Sequence, residues 1–501
     1  MEALKTIHPE LLTLSEAQVR MLLPYFVVFG GAILTMLVGV MKSINPKWPV
    51  FILTLLTAAA GIFYSCPLIH EGSQGLFNQM MVSDPFSNFF NILFLGSALI
   101  TALVSFRYLD REGLQHPEYY VLILFSALGM MLLASATDLI VVFIALEIMS
   151  LAVYILVGFR RADRRSNEAA LKYFILGSAA SAVLLYGAAL LYGATGSLGI
   201  HPILTFIQTS PAAMTPVFTL GVWLVVLGFL FKVAAVPFHM WMPDVYEGAP
   251  APVTGFMTTG LKAAAFATFV RVFLSLGYGR GFSGLIQTHM HDILWVCAVL
   301  TMLIGNLVAL TQTNLKRMLA YSSIAHSGYI LVGLVAGPLS QQGYAPVVFY
   351  LVSYAIMNIG AFAVITALAS REDHGLNLHD VSGLSQRHPW LAFSLAVFLV
   401  SMAGIPTTAG FTAKYLIFAS AVQAHETPLV VISVLCSAIS VYYYLRVLVH
   451  MYMRDPVGAP ASSRVGVWSA VAVAAMIALT FQIGVLPARM VSAVKNAVTG
   501  L

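Results

Sequence analysis

Charge is the scarcest property of this sequence. Asp, Glu, Lys and Arg make up 9% of its 501 residues, against about 25% in a soluble domain. Apolar and aromatic residues make up 59%, and the mean hydropathy is +0.89. These values exclude a soluble globular chain and point to a polytopic membrane protein. Cysteine is nearly absent as well. Cys66, Cys297 and Cys436 show no CxxC spacing and fall in or beside apolar runs, which argues against a disulfide framework, a zinc site or an iron–sulfur site. No G-x-G-x-x-G or P-loop is there to cradle a nucleotide, and no His pair suggests a haem. The amino-terminal stretch lacks a basic start followed by an apolar run and a small-residue cleavage site, so no cleavable signal peptide is expected. A net charge of +5 gives no reason to expect nucleic acid as a partner.

What the chain does have is long apolar runs. A membrane span needs about 20 mostly apolar residues. On that rule the spans fall at roughly 21–41, 48–67, 86–106, 117–135, 139–159, 168–194, 216–247, 251–277, 291–311, 315–336, 345–369, 390–424, 428–453 and 466–486. The seventh is broken at Pro237 and the twelfth at Gly404-Ile-Pro406-Thr-Thr-Ala-Gly410. Counting loops from the first helix, the odd loops carry fourteen Lys and Arg, and the even loops and termini carry only Lys5, Arg20, Arg280, Arg489 and Lys495. The bias places the odd loops in the cytoplasm and both termini outside, the arrangement expected of a multi-pass protein in a bacterial inner membrane.

An internal repeat organises the middle of the chain. Thr137-Asp138-Leu139 leads to Tyr154-Ile-Leu-Val-Gly158, and Thr313-Asn314-Leu315 leads to Tyr329-Ile-Leu-Val-Gly333. The offset stays near 176 residues, and it also carries the first broken helix to the second. Five spans separate the copies, an odd number, so the copies cross the membrane in opposite senses, as transporter repeats commonly do. The expected fold is therefore an all-α polytopic membrane protein of about 14 transmembrane helices, with two inverted five-helix repeats and two broken helices. Residues 1–116 hold helices 1–3, 117–277 the first repeat (helices 4–8), 291–453 the second (helices 9–13), and 466–501 the last helix.

Ionisable groups inside a hydrocarbon layer are costly and usually mark a pathway. Glu147 sits mid-span in LIVVFIALEIMSLAVYILVGF; a functional carboxyl and one half of a static buried pair are the competing readings. Lys232 precedes the Pro237 break, where a local polar site competes with snorkelling. Lys262 is eleven residues into its span, a rise of about 16 Å, too deep to reach the interface easily. Lys414 follows the second break directly. His239, Lys172 and His326 are weaker candidates. His239 is either a proton bridge or a satisfied interface histidine, Lys172 either functional or snorkelling, and His326 either a relay or a buried hydrogen-bonded histidine. Arg271 and Arg446 read as structural, and Asp84 and Asp138 as helix caps.

Desolvation favours the neutral form of a lysine, and a nearby carboxylate favours the charged form. A buried lysine whose carboxylate partner can approach or withdraw is therefore able to take up and release a proton. Glu147 and Lys232 are expected to form such a pair, with Lys262 passing the proton across the centre and Lys414 facing the exit.

At these residues the chain resembles the antiporter-like membrane subunits of respiratory complex I, which are similar to subunits of Mrp-type sodium/proton antiporters. The match spans nearly the whole chain. It is carried by ALEIMSLAVYIL, FKVAAVPFHMWMPDVYEGAPAPVTGF, LKRMLAYSSIAHSGYILVG and GIPTTAGFTAKYLIF. The resemblance implies that Glu147, Lys232, Lys262 and Lys414 carry protons, and it raises the standing of Lys172. It also implies partners: other membrane subunits, the lipid bilayer and a peripheral redox arm. Flavin, iron–sulfur clusters, NADH and quinone would belong to those partners, with no cofactor in this chain. A sodium/proton exchanger, a membrane subunit of a related hydrogenase complex and a scaffold subunit with relic charges are the alternatives.

Overall fold

The computed structural model describes residues 15–41, 45–209, 215–275, 285–369, 376–456 and 466–499. Lys5, Lys42, Arg280, Arg371 and Arg464, which enter the loop-charge argument, lie outside the described residues. The amino-terminal part runs α1 Glu16–Val40, α2 Lys47–Leu68, a hairpin of β1 Gln74–Leu76 and β2 Met81–Ser83, and α3 Pro85–Glu112. Then come α4 Pro117–Ser135, α5 Leu139–Val157, α6 Arg164–Thr195, α7 Ile200–Thr209, α8 Pro216–Lys232, α9 Trp241–Gly248, α10 Ala251–Phe256, a π-turn at Met257–Leu261 and α11 Lys262–Ser275. The next group is α12 Leu285–Thr311, α13 Leu315–Ala336, α14 Ala345–Leu368, α15 Leu384–Arg387, α16 Pro389–Ala403, α17 Ala409–Gln423 and α18 Thr427–Met453. The chain closes with α19 Val467–Val485 and α20 Pro487–Val498.

Twelve stretches among the described residues are long and apolar enough to cross a membrane. The two broken helices, α8 with α9 and α16 with α17, bring the set to the fourteen expected. Short polar residues set where the runs begin. Asp84 accepts from the Ser87 amide at 2.7 Å, Asp138 from Ile140 at 2.8 Å and Asn314 from Arg317 at 3.2 Å, each satisfying one of the orphan donors of a helix start. Asp84 does more than cap, because it also takes both Arg271 guanidinium nitrogens at 2.9 and 3.0 Å. Arg446 donates to the carbonyls of Leu310 and Gln312 at the end of α12. The β1–β2 hairpin and the short α15 were not foreseen, and neither were two further helices. α7 lays Ile200, Ile203 and Ile207 against the bundle, and α20 buries Val494 and Ala497. Both are amphipathic and too short to read as spans.

The 176-residue spacing recurs in the contacts. A Cβ on Gly129 of α4 would come within 2.5 Å of the Met149 nitrogen on α5, and one on Gly305 of α12 within 2.6 Å of the Ala325 nitrogen on α13. In each helix pair the backbones approach too closely for any side chain at that point. Bridges Asp138–Gly199 and Asn314–Asn377 likewise tie each second helix of the pair to a later connection. Depth in the bundle differs sharply between helices. The apolar window of α6 is about one-third enclosed by protein (33%), whereas residues 251–273 and α14 are wholly enclosed and α13 nearly so (94%). The central helices are therefore enclosed by protein over most of their apolar length.

Candidate functional site

The first break starts earlier than the sequence suggested. Pro237 has no N–H, and in a continuous helix its ring would collide with the carbonyl four residues back, that of Val233. α8 accordingly ends at Lys232, not a turn beyond it, and 233–240 is non-helical with Ala234 in the left-handed region (φ +54°). The freed backbone groups find partners from elsewhere in the bundle. Val233 O accepts from Ser327 Oγ at 2.8 Å, Val236 N donates to Thr301 Oγ1 at 2.9 Å, and Trp241 Nε1 donates to Phe231 O at 3.3 Å. An interrupted helix at membrane depth requires such satisfaction.

Lys232 is 9% exposed, and its Nζ donates to Ser150 Oγ on α5 at 3.0 Å. Glu147 lies three residues before Ser150, about one turn away on the same face. The structure does not close the expected Glu147–Lys232 ion pair. The lysine is held by the serine hydroxyl instead, and Glu147 Oε1 is buried with no hydrogen-bond partner. An unpaired buried acceptor loses its hydration without compensation.

Lys262 follows the π-turn Met257–Leu261 directly and is 2% exposed. Its Nζ donates to Ser323 O at 2.6 Å and Ser323 Oγ at 2.5 Å on α13, and lies 5.3 Å from the Tyr354 ring centroid. Ser327 donates to both Val233 O and Ser323 O. A polar thread therefore runs from the end of α8 to the central lysine through one turn of α13.

His326 is also 2% exposed. Its Nδ1 lies 2.6 Å from the Tyr350 hydroxyl and its Nε2 3.2 Å from the Tyr444 hydroxyl, which in turn pairs with Ser322 Oγ. His326 is thus a buried, hydrogen-bonded histidine held between two tyrosines. The Tyr329 ring lies 5.8 Å from the His326 ring and 5.3 Å from Lys414 Nζ.

At the second break α16 stops at Ala403, Gly404 turns the chain with φ +87°, and α17 restarts at Ala409. Lys414 donates to the freed carbonyl of Ala403 at 3.0 Å and to Ser437 Oγ at 2.9 Å. It is 5% exposed, yet it lines a cavity of about 500 Å³ between α17 and α18 with Phe411, Tyr415 and Phe418.

Lys232, Lys262, His326 and Lys414 are thus all buried and bonded to hydroxyls or carbonyls, and Glu147 lies one turn from the serine that holds Lys232. Lys172 is unlike them. Its side chain is 43% exposed and paired with Glu168 at 2.7 Å and Asp244 at 3.0 Å. His239 is half-buried in the non-helical segment. The sequence reading missed Ser150, Ser323, Ser327, Ser437 and the tyrosines 329, 350, 354 and 444. The available signal was hydroxyl residues three or four positions from an ionisable one in apolar helices, as with Ser150 after Glu147. Among the described residues no group of three or more His, Cys, Asp or Glu side chains is placed to hold a metal ion.

Comparison with known proteins gives a consistent result. A family model described as NADH:quinone oxidoreductase/Mrp antiporter, TM, matches residues 136–440. The NADH-quinone oxidoreductase subunit N of Trichlorobacter lovleyi is 48% identical over 378 residues, 75% of this chain and 76% of that one. The subunit N of Myxococcus xanthus is 41% identical over 515 residues, 97% of this chain and 98% of that one. Among solved structures, a chain of respiratory complex I from Thermus thermophilus with bound aureothin aligns with a TM-score of 0.79 at 34% identity, covering 94% of this chain and 99% of that one.

Proposed function

The chain belongs to the NADH-quinone oxidoreductase subunit N family, antiporter-like membrane subunits of that translocase, and from that premise we propose that it moves protons along the line Glu147, Lys232, Lys262, His326 and Lys414. The supporting observation is the enclosure of that line. Three amines and an imidazole are each 9% exposed or less, and among the described residues no carboxylate lies within ion-pair distance of any of them. Each instead holds a hydroxyl or a carbonyl: Ser150 for Lys232, Ser323 for Lys262, tyrosines for His326, Ala403 O and Ser437 for Lys414. Buried cations of this kind are normally paired, and static support gives no reason for three in one row.

In this reading Glu147 draws a proton towards Lys232 or releases it by changing its distance to the ammonium. Ser327 and Ser323 bridge Lys232 to Lys262, His326 with its tyrosines bridges Lys262 to the second half, and Lys414 faces the exit. The oxidation that drives the cycle takes place in partner subunits, which carry the flavin, iron–sulfur clusters and quinone. The basic odd loops face the cytoplasm and the termini face outward.

The test is Glu147→Gln in the assembled complex, reconstituted in vesicles. Protons translocated per NADH oxidised fall, or coupled turnover falls with them. A variant complex that pumps at the parental ratio and rate sinks the relay. Repeating the assay with and without a sodium gradient separates proton pumping from sodium/proton exchange.

A further inference from the structure

The eight-residue helix α9 is held by more cations than its size calls for. Arg317 of α13 bonds both Asp244 and Glu247 at 2.9 Å. Lys172 of α6 bonds Asp244 from the other side at 3.0 Å. At the end of α9, Lys316 donates to Ala249 O at 2.5 Å and Arg160 to Gly248 O at 3.2 Å, where cations complement the helix dipole. The clamps come from the α5–α6 loop, from α6 and from α13. Between α6 and α9 lies an open cavity of about 260 Å³ lined by Glu168, Lys172, Asp244 and Glu247.

Behind this cavity stands an aromatic stack. Trp241, the first residue of α9, lies parallel to Tyr173 at 4.7 Å and against Phe231 at 5.6 Å. Its indole also holds the Phe231 carbonyl, one residue before Lys232. Asp244 is three residues from Trp241, a rise of about 4.5 Å. Trp241, the one ring of the stack carried by the clamped helix, thus ties α9 to Tyr173 of α6 and to the end of α8, one residue before the relay lysine.

We propose that the cavity between α6 and α9 is the entry vestibule of the proton path and that the Lys172–Asp244–Arg317 chain is a latch that positions α9, so that Trp241 and Tyr173 close the way to Lys232. The proposal rests on the relay described above. Asp244 is the shared member: neutralising it frees Lys172 of α6 from α9 and leaves Arg317 of α13 bonded to Glu247 alone. Arg317 lies six residues before Ser323 on α13, so the helix that holds the latch also holds the partner of the central lysine. Lys172 therefore takes a positioning role beside the path, not a place in it.

The experiment uses the assembled complex with Ala235→Cys, a fully buried site in the non-helical segment behind Trp241. A small membrane-impermeant cationic thiosulfonate is applied from the odd-loop side, and mass spectrometry of this chain reads modification of the introduced thiol. Modification is at background in Ala235→Cys alone. It rises at least tenfold when Asp244→Asn is added and returns to background with Asp244→Glu, which keeps the charge. Protons pumped per NADH follow the same order. Where Asp244→Asn does not assemble, Arg317→Gln opens the same pair from the other side and carries the same expectation. No rise with either variant overturns the latch, and so does a rise that Asp244→Glu fails to reverse. An unchanged labelling rate leaves the relay standing, whereas normal pumping in Glu147→Gln sinks the relay without altering the labelling result.

Discussion

Replacing Lys262 with methionine separates function from stability at the centre of the path. Methionine nearly matches the lysine stem in length and removes only the ammonium. The two bonds to Ser323 at 2.5 and 2.6 Å are each worth roughly 1.5–3 kcal/mol if the amine is charged, so about 3–6 kcal/mol of contact is lost. Against this, the desolvation penalty of a buried ion is itself several kcal/mol, and it disappears with the charge. Ser323 O keeps its bond from Ser327. The two terms close to within a few kcal/mol, and the variant chain folds and assembles. Proton transfer has no such compensation. Without the amine a proton crossing between Ser323 and His326 has no group of comparable basicity to rest on. If that raises the barrier by only about 3 kcal/mol, transfer slows more than a hundredfold. The assay is NADH oxidation and vesicle acidification measured together on complex whose composition has been checked by gel and thermal unfolding. Assembled Lys262→Met complex that pumps at the parental ratio and rate would refute the reasoning. Loss of assembly would refute the stability half of it.

Other perturbations act on the scaffold. Removing one side of the buried Asp84–Arg271 pair by Arg271→Ala strands a carboxylate that is 1% exposed at its side chain, a loss of about 3–5 kcal/mol; thermal unfolding should show a lower midpoint, while surviving complex keeps its pumping ratio. At the second break, a Cβ on Gly410 would overlap the Ser401 carbonyl. Gly410→Ala should therefore destabilise by about 1–3 kcal/mol and, by shifting α17, depress pumping more than Gly30→Ala, whose added Cβ meets nothing within 4 Å.

The spans were legible because a helix in lipid must be long and apolar, and that constraint acts residue by residue. The breaks were legible because Pro237 and the Gly404–Gly410 segment cannot continue a helix. The end of α8 was less so: the proline acts on a carbonyl four residues upstream, which moves the break to Lys232. The partners of the buried charges were not legible. Lys232 meets Ser150 across 82 positions and Lys262 meets Ser323 across 61, and nothing local marks one serine among many. The Glu147–Lys232 pair shows the converse. Opposite charges in neighbouring spans suggest contact, yet one turn of α5 is enough to put a hydroxyl where the carboxylate was expected. α7 and α20 escaped notice because an amphipathic helix lying along the bundle needs no span-length apolar run.

The π-turn before Lys262 has a bearing on how this helix tolerates change. A π-turn holds one residue more than the α-helical turn it replaces, and one residue corresponds to about 100° of azimuth. The direction of the Lys262 side chain is therefore set by the surplus residue within Met257–Leu261 as much as by the lysine itself. Forcing ordinary α-helical winding on the same five residues would leave every side chain chemically intact and would swing the amine by about a quarter of a revolution relative to α10, away from Ser323. Deleting one residue of Met257–Leu261 removes the surplus together with the wide turn, so the amine keeps its present direction and the thread survives.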